Sequence, residues 1–345
     1  MSDPISDSNQ IDPVDTLPDV SVCLAIFNRA DFLKETLDSL LNQQNVDFEI
    51  VAVNDGSTDP RVAAILNSYT DPRLRIIFQS NTGFTTAIRR AVGEARGKYV
   101  AIQGTGDASL PGRLSRQKDI LDQEPDVGLV SCRQENVTEG GHVHGQKSLS
   151  RLISLRPTSE IMCGRHNPLI HGEAMFRRTI YDKVGGYRTF FTFAQDRDLW
   201  LRMSEHCGIV VLDEILYKRR HFFADGVNNN GEKFLQQRAF SLFGIQCYRD
   251  RQKLGQDMLE RYGHSGYLFR RRNKSLANFA AERALECLIR DNRAGAALCS
   301  RFSLDEYKTL RVLLSFAVVH LALRSNTALR LLIRLNELRR RIRDR

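Results

Sequence analysis

The regular alternation of β-prone apolar runs with helical segments constrains the fold of this chain more than any other feature. Between residues 19 and 132, each apolar run ends in a cluster of turn-forming residues, and a segment with apolar residues at helical spacing follows. Strands that alternate with helices predict a largely parallel sheet with right-handed crossovers and helices on both faces. We therefore expect an α/β fold, a Rossmann-like, mostly parallel mixed sheet flanked by helices, with a C-terminal helical extension.

Five strands and four helices are expected in this first part. The strands are 19–27, 48–53, 74–78, a run that begins after Gly97, and 127–132. The helices begin at Asp31, near Arg61, after Gly83 and at Pro111, and either Asn28 or Asp31 is expected to cap the first of them. A fold of this kind brings the ends of its parallel strands to one edge.

The second part alternates less regularly. Residues 133–167 are polar and irregular, and a short strand is expected at 173–177. A helix near Asp196 and edge strands at 208–212 and 215–217 follow. From residue 232 the pattern is helical only, with segments near 232–251, 274–290, 303–323 and 326–343.

Length and charge divide the chain. At 345 residues it exceeds what a single core usually supports, so more than one part is expected. Residues 1–18 predict a disordered acidic tail, 19–230 an α/β domain and 231–345 a basic helical region. About 18 basic and 7 acidic residues lie between positions 270 and 345, so the net charge of +9 belongs to that region.

Cysteine and hydropathy patterns predict a cytoplasmic protein. The seven cysteines are scattered and form no Cys-x-x-Cys pair, which favours reduced packing residues over a zinc site or a disulfide framework. His142 and His144 lie among glycines without nearby acids, which favours a mobile loop over a metal pair. The longest apolar run, 312–323, is broken by Ser315 and His320 and is too short to cross a bilayer.

Polar residues follow four of the expected strands. Asn28, Asp55, Gly83 and Asp107 each come directly after a strand. In open α/β sheets, ligands bind beyond the carboxyl ends of the strands. These four residues therefore predict a ligand site along one edge of the sheet.

The order of these clusters resembles one family. Val53-Asn54-Asp55-Gly56-Ser57-Thr58-Asp59 is similar to a nucleotide-contacting segment, and Gln195-Asp196-Arg197-Asp198-Leu199-Trp200-Leu201-Arg202 is similar to a block that bears a catalytic base. With the first strand and turn of Val20–Asn28, and with Asn81-Thr82-Gly83, they resemble the inverting family 2 glycosyltransferases with the A-type nucleotide-sugar fold. The resemblance covers about residues 19–225.

This resemblance implies a reaction and its residues. A sugar would pass from a nucleoside-diphosphate sugar, UDP first among them, to a hydroxyl of a saccharide or lipid-linked glycan in polysaccharide biosynthesis. Asp196 would act as general base, since one carboxylate must accept the hydroxyl proton. Asp55 would accept from the nucleobase, with Phe27, Asn28 and Gly83 beside it. His171, Glu173 and Asp198 would lie at the acceptor side, where Asp198 either raises the pKa of Asp196 or caps the helix.

The loop at Gly104-Thr105-Gly106-Asp107 departs from the family pattern. Two positions that usually hold acids are glycines, so one carboxylate plus diphosphate oxygens would bind Mg²⁺ or Mn²⁺ more weakly than a pair. The glycines Gly104 and Gly106 would let backbone N–H groups approach the diphosphate instead. Arg220 is expected to contact the diphosphate, His221 to contact phosphate or metal, and Arg113 to brace the loop.

Other interpretations stay open. The missing acid pair also suits a nucleotide-sugar-binding scaffold or pseudoenzyme without turnover. A nucleotidyltransferase ranks last, because Asn28-Arg29-Ala30 is not a glycine-rich phosphate loop. The basic amphipathic helix at the C-terminus favours either the surface of an anionic membrane or packing within the protein. Nucleic-acid binding is not expected, since no interleaved aromatics or known module accompany the charge.

Overall fold

A computed structural model describes residues 17–143, 154–164, 167–222 and 231–343. Within these ranges an eight-stranded mixed sheet has the order β3-β2-β1-β4-β7-β6-β8-β5. The strands are β1 Val20–Ile26, β2 Phe48–Asp55, β3 Leu74–Gln79, β4 Tyr99–Ile102, β5 Ala108–Ser109, β6 Val127–Val137, β7 Met175–Arg177 and β8 Gly208–Arg220. The predicted α/β class is confirmed. Most of the expected acidic tail and His144 lie outside the described residues.

Helices cover both faces of the sheet and continue beyond it. They are α1 Ala30–Leu41, α2 Pro60–Asn67, α3 Phe84–Gly93, α4 Arg113–Gln123, α5 Ser159–Met162, α6 Arg178–Lys183, α7 Gln195–Met203, α8 Gly231–Leu254, α9 Met258–Tyr262, α10 Lys274–Ile289, α11 Arg293–Glu306, α12 Leu310–Arg324 and α13 Asn326–Arg343. Two 3-10 helices span His171–Glu173 and Gly263–Phe269. In the part of the chain that the structure describes, no helix is long and apolar enough to cross a membrane.

Strand pairing combines two parallel blocks. β3, β2, β1 and β4 run parallel, and β6 pairs in parallel with β8. β7 joins the two blocks by antiparallel pairing with β4 and β6, and β5 pairs antiparallel with β8. All residues of β1 and β2 are buried, as expected for strands covered on both faces. Leucines of α1 pack on one face, and α3 and α7 pack on the other.

Three expected boundaries were wrong. The expected helix at 303–323 is two helices, because Thr309 is extended and its hydroxyl caps α12 by accepting from the Val312 N–H at 3.1 Å. The two expected edge strands are one strand, β8, which pairs with β6 through a register irregularity and runs on to Arg220. α4 begins at Arg113 after Gly112, whose φ of 79° places it in the left-handed region, so Pro111 precedes the helix.

Candidate active site

The turns after β1 and β2 are tied together at the expected edge. Asn28, at φ 60°, accepts hydrogen bonds through its Oδ1 from the Thr58 N–H at 3.0 Å and the Asp59 N–H at 3.2 Å. Its own N–H donates to the Ser57 hydroxyl at 2.9 Å. Asn28 therefore does not cap α1, as one expectation had it, but fixes the turn that precedes α2. The ring of Phe27 beside it is 47% exposed, which leaves it open to a planar ligand.

Asp55 joins β2 to the loop before α3. Its Oδ1 accepts from the Gln79 amide at 2.7 Å and from the Thr82 N–H at 2.8 Å, and its Oδ2 accepts from the Gly83 N–H at 3.0 Å. The carboxylate is almost fully buried. Asp55 thus orders the entry to α3 at the same edge as Phe27, and its contact with a nucleobase stays a prediction.

Asp107 fastens its loop to the end of β8. Its Oδ2 accepts from the Tyr217 hydroxyl at 2.8 Å, and its Oδ1 accepts from the Arg220 N–H at 2.8 Å. The Tyr217 hydroxyl also accepts from the Gly104 N–H at 3.0 Å. Desolvation raises the pKa of the Asp107 carboxyl, and the Arg220 N–H and the Arg219 charge oppose that rise. Both oxygens of this candidate ligand are therefore engaged by the protein.

Close packing explains the two glycines of this loop. A Cβ on Gly104 would lie 2.3 Å from Asp107 Oδ2 and 3.1 Å from the Tyr217 hydroxyl oxygen. A Cβ on Gly106, whose φ is 100°, would lie 2.5 Å from the Phe222 ring. Acidic side chains at these positions are incompatible with the loop as it is packed. The predicted diphosphate contacts of Gly104 and Gly106 stay predictions.

Arg220 braces the loop from the α1 side. Its buried guanidinium donates to the Gly106 carbonyl at 3.0 Å and to the Glu139 carbonyl at 2.7 Å, and it forms an ion pair with Glu35. It also packs over the Phe32 ring at 4.9 Å. The structure places this predicted diphosphate contact in a bracing network, so a ligand would have to displace protein partners to reach it.

His221 and Arg113 also have protein partners. His221 Nε2 lies 2.9 Å from Asn136 Oδ1, a hydrogen bond to β6. The Arg113 guanidinium is fully buried and donates to the Ile102 carbonyl at 2.8 Å, Gln103 Oε1 at 2.9 Å and the Ser109 hydroxyl at 2.8 Å. These bonds hold the two ends of the loop together, and the expected bracing role of Arg113 is confirmed.

Arg219 occupies the opposite face of β8 from Arg220. Alternate residues of a strand point to opposite faces, so Arg219 leaves β8 on the same side as Tyr217, while Arg220 leaves it on the other side and reaches Glu35 of α1. It is half-buried and pairs in register with Asn136 of β6. Its charge lowers the pKa values of Asp107, Glu173 and Asp196, which burial otherwise raises. Arg219 therefore lies among the site's acids.

Asp196 begins α7, directly after a left-handed turn. Ala194 has φ 54° and is the residue directly before the first residue of the helix, Gln195. Asp196 Oδ2 accepts from the Asn167 amide at 3.2 Å. Desolvation raises the pKa of this half-buried carboxyl, and the Arg197 N–H opposes the rise. A carboxyl with a raised pKa and free surface is suited to accept a proton near neutral pH.

His171 and Glu173 line the neighbouring turn. His171 Nε2 lies 2.6 Å from the Tyr187 hydroxyl, and its ring packs edge-on against Phe84 at 5.4 Å. Burial lowers the pKa of His171, which keeps the imidazole neutral. Glu173 is buried, accepts from the Ser131 hydroxyl at 2.9 Å through Oε1 and has no hydrogen bond at Oε2. Burial raises its pKa to about 7.

Asp198 lies elsewhere than expected. Its buried carboxylate forms ion pairs with Arg202 at 2.8 Å and with Arg188 at 3.3 Å. Because side chains two positions apart leave a helix in different directions, Asp198 neither caps α7 nor contacts Asp196. It joins α7 to the C-terminal helices through Arg188, which also pairs with Asp257 at 2.8 Å. Of the predicted acceptor-side residues, His171 and Glu173 lie in one turn, and Asp198 lies apart from them in its ion-pair network.

The side chains at this edge do not form a usual divalent-cation site. Mg²⁺ and Mn²⁺ favour several oxygen ligands, and carboxylates commonly supply them. Among the described residues, no group of three or more His, Cys, Asp or Glu side chains is placed to hold an ion. The loop after β4 supplies one carboxylate, Asp107, and both its oxygens already accept hydrogen bonds from the protein, so the residues present fit poorly the cation that the resemblance implies.

Two contacts of the site could not be predicted from the sequence. The sequence predicts only that Tyr217 is part of a strand, because a tyrosine in an apolar run gives no sign that its hydroxyl reaches a loop 110 residues away. Asn167 falls in a stretch that was read as irregular, and its link to Asp196 spans 29 residues. Neither pairing has a local signal.

Comparisons with known proteins agree on one family. The profile described as glycosyl transferase family 2 matches residues 21–185. The putative glycosyltransferase EpsE of Bacillus subtilis is 31% identical over 210 residues, which are 59% of this chain and 73% of EpsE. The uncharacterized glycosyltransferase RP339 of Rickettsia prowazekii is 28% identical over 215 residues, 61% of this chain and 66% of that protein.

Solved structures show the same fold. The crystal structure of S. aureus TarS 1-349 in complex with UDP-GlcNAc has a TM-score of 0.54 at 15% identity, covering 88% of this chain and 91% of that one. The complex of the same protein with UDP has a TM-score of 0.51 at 15% identity, with the same coverage. These structures share the sheet and helices described above.

Proposed function

The chain belongs to glycosyl transferase family 2 and is a glycosyltransferase, and from that premise we propose the reaction that it performs. It moves a sugar from UDP to a hydroxyl of a saccharide or lipid-linked glycan, with inversion at the anomeric carbon, in polysaccharide biosynthesis. UDP is the proposed nucleotide because the structurally similar TarS was crystallised in complex with UDP-GlcNAc. Asp196 is the proposed general base.

One observation carries this proposal. Asp196 is a half-buried carboxyl of raised pKa at the start of α7, directly after the left-handed turn at Ala194. A raised pKa makes a carboxylate a better proton acceptor, and the exposed part of the side chain leaves room for a hydroxyl. A general base also needs fixed geometry, which the Asn167 amide supplies at 3.2 Å.

Different residues contact the sugar donor and the acceptor. Phe27, Asn28, Asp55 and Gly83 form the nucleotide side, with the exposed Phe27 ring available for the uracil face. His171 and Glu173 form the acceptor side. As the acceptor oxygen forms its bond to the anomeric carbon, Asp196 takes the hydroxyl proton and the bond to the diphosphate breaks. The electron pair of that bond leaves with UDP.

The test is transfer by an Asp196→Asn variant. We expect UDP release in the presence of acceptor to fall at least about 100-fold, since general-base catalysis contributes about 10²–10⁴, while UDP affinity measured by calorimetry stays within about twofold. Asp182→Asn, an exposed carboxylate on α6, is the matched control and retains full transfer. Undiminished transfer by Asp196→Asn would remove that residue from its role.

A scaffold without turnover is the second candidate, favoured by the loss of the acid pair at Gly104 and Gly106. The same assay separates the two. Binding of UDP-sugars without UDP release, over a broad panel of donors and acceptors, would favour the scaffold.

We also propose that the protein is cytoplasmic and contacts the inner face of an anionic membrane, where it would reach lipid-linked acceptors. The seven cysteines are free, in keeping with a reducing compartment. On α13, Leu329 is buried and Leu332 and Ile333 pack on the helical core, so part of its apolar face is used internally. The exposed apolar surface is instead on α12, whose side chains are exposed at Leu310, Leu313, Leu314, Val318 and Leu321.

A further inference from the structure

We propose that Arg219 takes the place of a divalent cation in this chain, so that the leaving nucleoside diphosphate is stabilised by a guanidinium and sugar transfer requires no metal. This inference rests on the proposed function, and it deepens that function by naming what neutralises the leaving group. Three observations support it. The loop after β4 does not suit a cation, the Arg219 guanidinium is available to a ligand, and β8 directs that guanidinium to the site.

The loop after β4 offers one carboxylate, and that carboxylate is engaged. Asp107 accepts from the Tyr217 hydroxyl and from the Arg220 N–H, each at 2.8 Å. The position three residues earlier, Gly104, is closed to a side chain by Asp107 itself, because a Cβ there would lie 2.3 Å from Asp107 Oδ2. A divalent ion would compete with these donors for the Asp107 oxygens, and in the described loop after β4, residues 103–107, Asp107 is the one carboxylate. The oxygen ligands that this loop offers are therefore not those that a divalent cation requires.

Arg219 has an available guanidinium at this place. In the ranges that the structure describes, the side chain forms no hydrogen bond or ion pair, although it is half-buried. Of its neighbours on β8, Arg220 bonds to the Gly106 and Glu139 carbonyls, and Lys218 leaves the strand on the opposite side from Arg219. Five N–H donors of Arg219 are thus free for a ligand.

The strand directs Arg219 toward the reacting groups. Tyr217, two residues earlier, bonds to both Asp107 and Gly104, so the chain at this point is anchored to the glycine loop. Arg219 leaves β8 on the same side as Tyr217, whose hydroxyl contacts the glycine loop. The influence of its charge on Asp107, Glu173 and Asp196 agrees with this placement between the loop and the general base.

Guanidinium chemistry suits a diphosphate. Arginine presents a planar fork that bonds phosphate oxygens bidentately, and it remains charged under all working conditions. As the bond between the sugar and the diphosphate breaks, negative charge grows on the departing phosphate oxygens. A fixed positive group lowers the barrier when its interaction with those oxygens is stronger in the transition state than in the ground state. The leaving UDP departs with the bonding electron pair, and no other reactant is needed.

The test compares metal removal with substitution of Arg219. We expect transfer by the full chain to change less than twofold in excess EDTA and to gain less than twofold from Mn²⁺ or Mg²⁺. In Arg219→Gln, kcat/KM for the UDP-sugar should fall about 100-fold or more, since loss of one stabilising donor costs about 10²–10³ in rate. Arg219→Lys should recover part of that loss, because it restores the charge without the fork. Arg116→Gln, an exposed arginine paired with Glu214 on β8, is the matched control and keeps wild-type transfer.

Two further measurements do not depend on turnover. Calorimetry should give the same UDP affinity with and without EDTA for the wild type and a weaker one for Arg219→Gln. Electron paramagnetic resonance of Mn²⁺ titrated with the protein should show no additional bound Mn²⁺ when UDP is added. Thermal melting of Arg219→Gln within about 2 °C of wild type assigns the loss to the site.

The outcomes separate this inference from its premise. Transfer that EDTA abolishes and Mn²⁺ restores overturns the role of Arg219 while leaving the glycosyltransferase reaction in place. Full transfer by Arg219→Gln overturns it as well. A wild-type chain that binds UDP-sugars but never releases UDP, with or without metal, overturns the proposed function itself.

Discussion

At the scale of single residues, the site separates side chains that hold its shape from side chains that face a substrate. Asp107 and Arg220 look like ligands in the sequence because acids and bases after a strand usually are, yet each directs its polar atoms to the loop and to β8. Asp196 and Arg219 keep surface available. Residue type and position after a strand could be predicted from the sequence, whereas the partners of each polar atom depend on contacts between segments about 110 residues apart.

The pH dependence of transfer tests the assignment of Asp196. Because a general base acts only when deprotonated, kcat/KM should fall as the pH drops through the pKa of Asp196. We call this fall the acid limb of the pH profile, and because burial raises the pKa of Asp196, it should lie at a higher pH than for an ordinary aspartate. The Asn167 amide donates to the charged form and so lowers this pKa. Asn167→Ala should therefore move the acid limb upward.

The size of that movement follows from the hydrogen bond. A bond of this kind contributes about 1 kcal/mol, and one pH unit corresponds to about 1.4 kcal/mol, so we expect a shift of about 0.7 pH unit. The measurement is kcat/KM for the UDP-sugar between pH 4 and 9, and Asn136→Ala, which contacts His221 instead, serves as the comparison. An acid limb that stays in place in Asn167→Ala would assign it to another group.

At the scale of elements, the α/β alternation was predictable because strands buried on both faces give continuous apolar runs. The order of the strands was not, since β7 enters the sheet between β4 and β6 from 73 residues after the end of β4. That insertion is what brings the His171–Glu173 turn against the glycine loop. The break between α11 and α12 was also missed, because one hydroxyl cap at Thr309 outweighs a continuous helical pattern.

The link between α7 and the C-terminal helices gives a prediction of stability. Asp198 is paired with Arg202 and Arg188, and Arg188 extends the network to Asp257, which caps α9. Removing one partner of a buried pair costs about 3–5 kcal/mol, because the other charge is left without compensation. We expect Asp198→Asn to lower the urea midpoint of unfolding by an amount that corresponds to about 3 kcal/mol.

The control for this experiment is a surface pair in the same protein. Asp213, 55% exposed in its side chain, pairs with Arg133 at 2.9 Å, and exposed pairs contribute about 1 kcal/mol or less. Asp213→Asn should therefore leave the urea midpoint nearly unchanged. Equal midpoints for the two variants would show that Asp198 does not fasten α7 to the C-terminal helices. UDP affinity of folded Asp198→Asn should match the wild type, which separates this aspartate from the site.

At the scale of the whole molecule, the net positive charge and an exposed apolar surface both belong to the C-terminal region of the chain. The region from residue 270 onward carries the net positive charge, and α12 exposes a stripe of apolar side chains at spacings of three and four residues, among them Leu310 at 74% and Leu321 at 61%. Arg311, Arg324 and Arg330 are exposed around that stripe. An apolar stripe with basic flanks matches the interface of an anionic bilayer.

This surface predicts binding to vesicles through α12. The full chain should sediment with vesicles of phosphatidylglycerol and phosphatidylcholine at low salt, less at 0.5 M NaCl because about 1 kcal/mol for each basic residue near the surface is screened, and little with phosphatidylcholine alone. Leu314→Ser with Leu321→Ser should weaken binding at least about tenfold, since each leucine that enters the bilayer contributes about 1.5–3 kcal/mol. Both positions are already exposed, so the fold should be unaffected.

A second exposed leucine distinguishes this stripe from apolar surface in general. Leu268, 85% exposed in the 3-10 helix after α9, lies outside α12, and Leu268→Ser should retain wild-type vesicle binding. A chain that forms a dimer lost in Leu314→Ser with Leu321→Ser, and that ignores anionic vesicles, would assign the stripe to a second copy of the protein. Binding to vesicles by the monomer would instead tie the basic helices to the lipid-linked acceptor, because the same region packs through α8 against α7, the helix that carries Asp196.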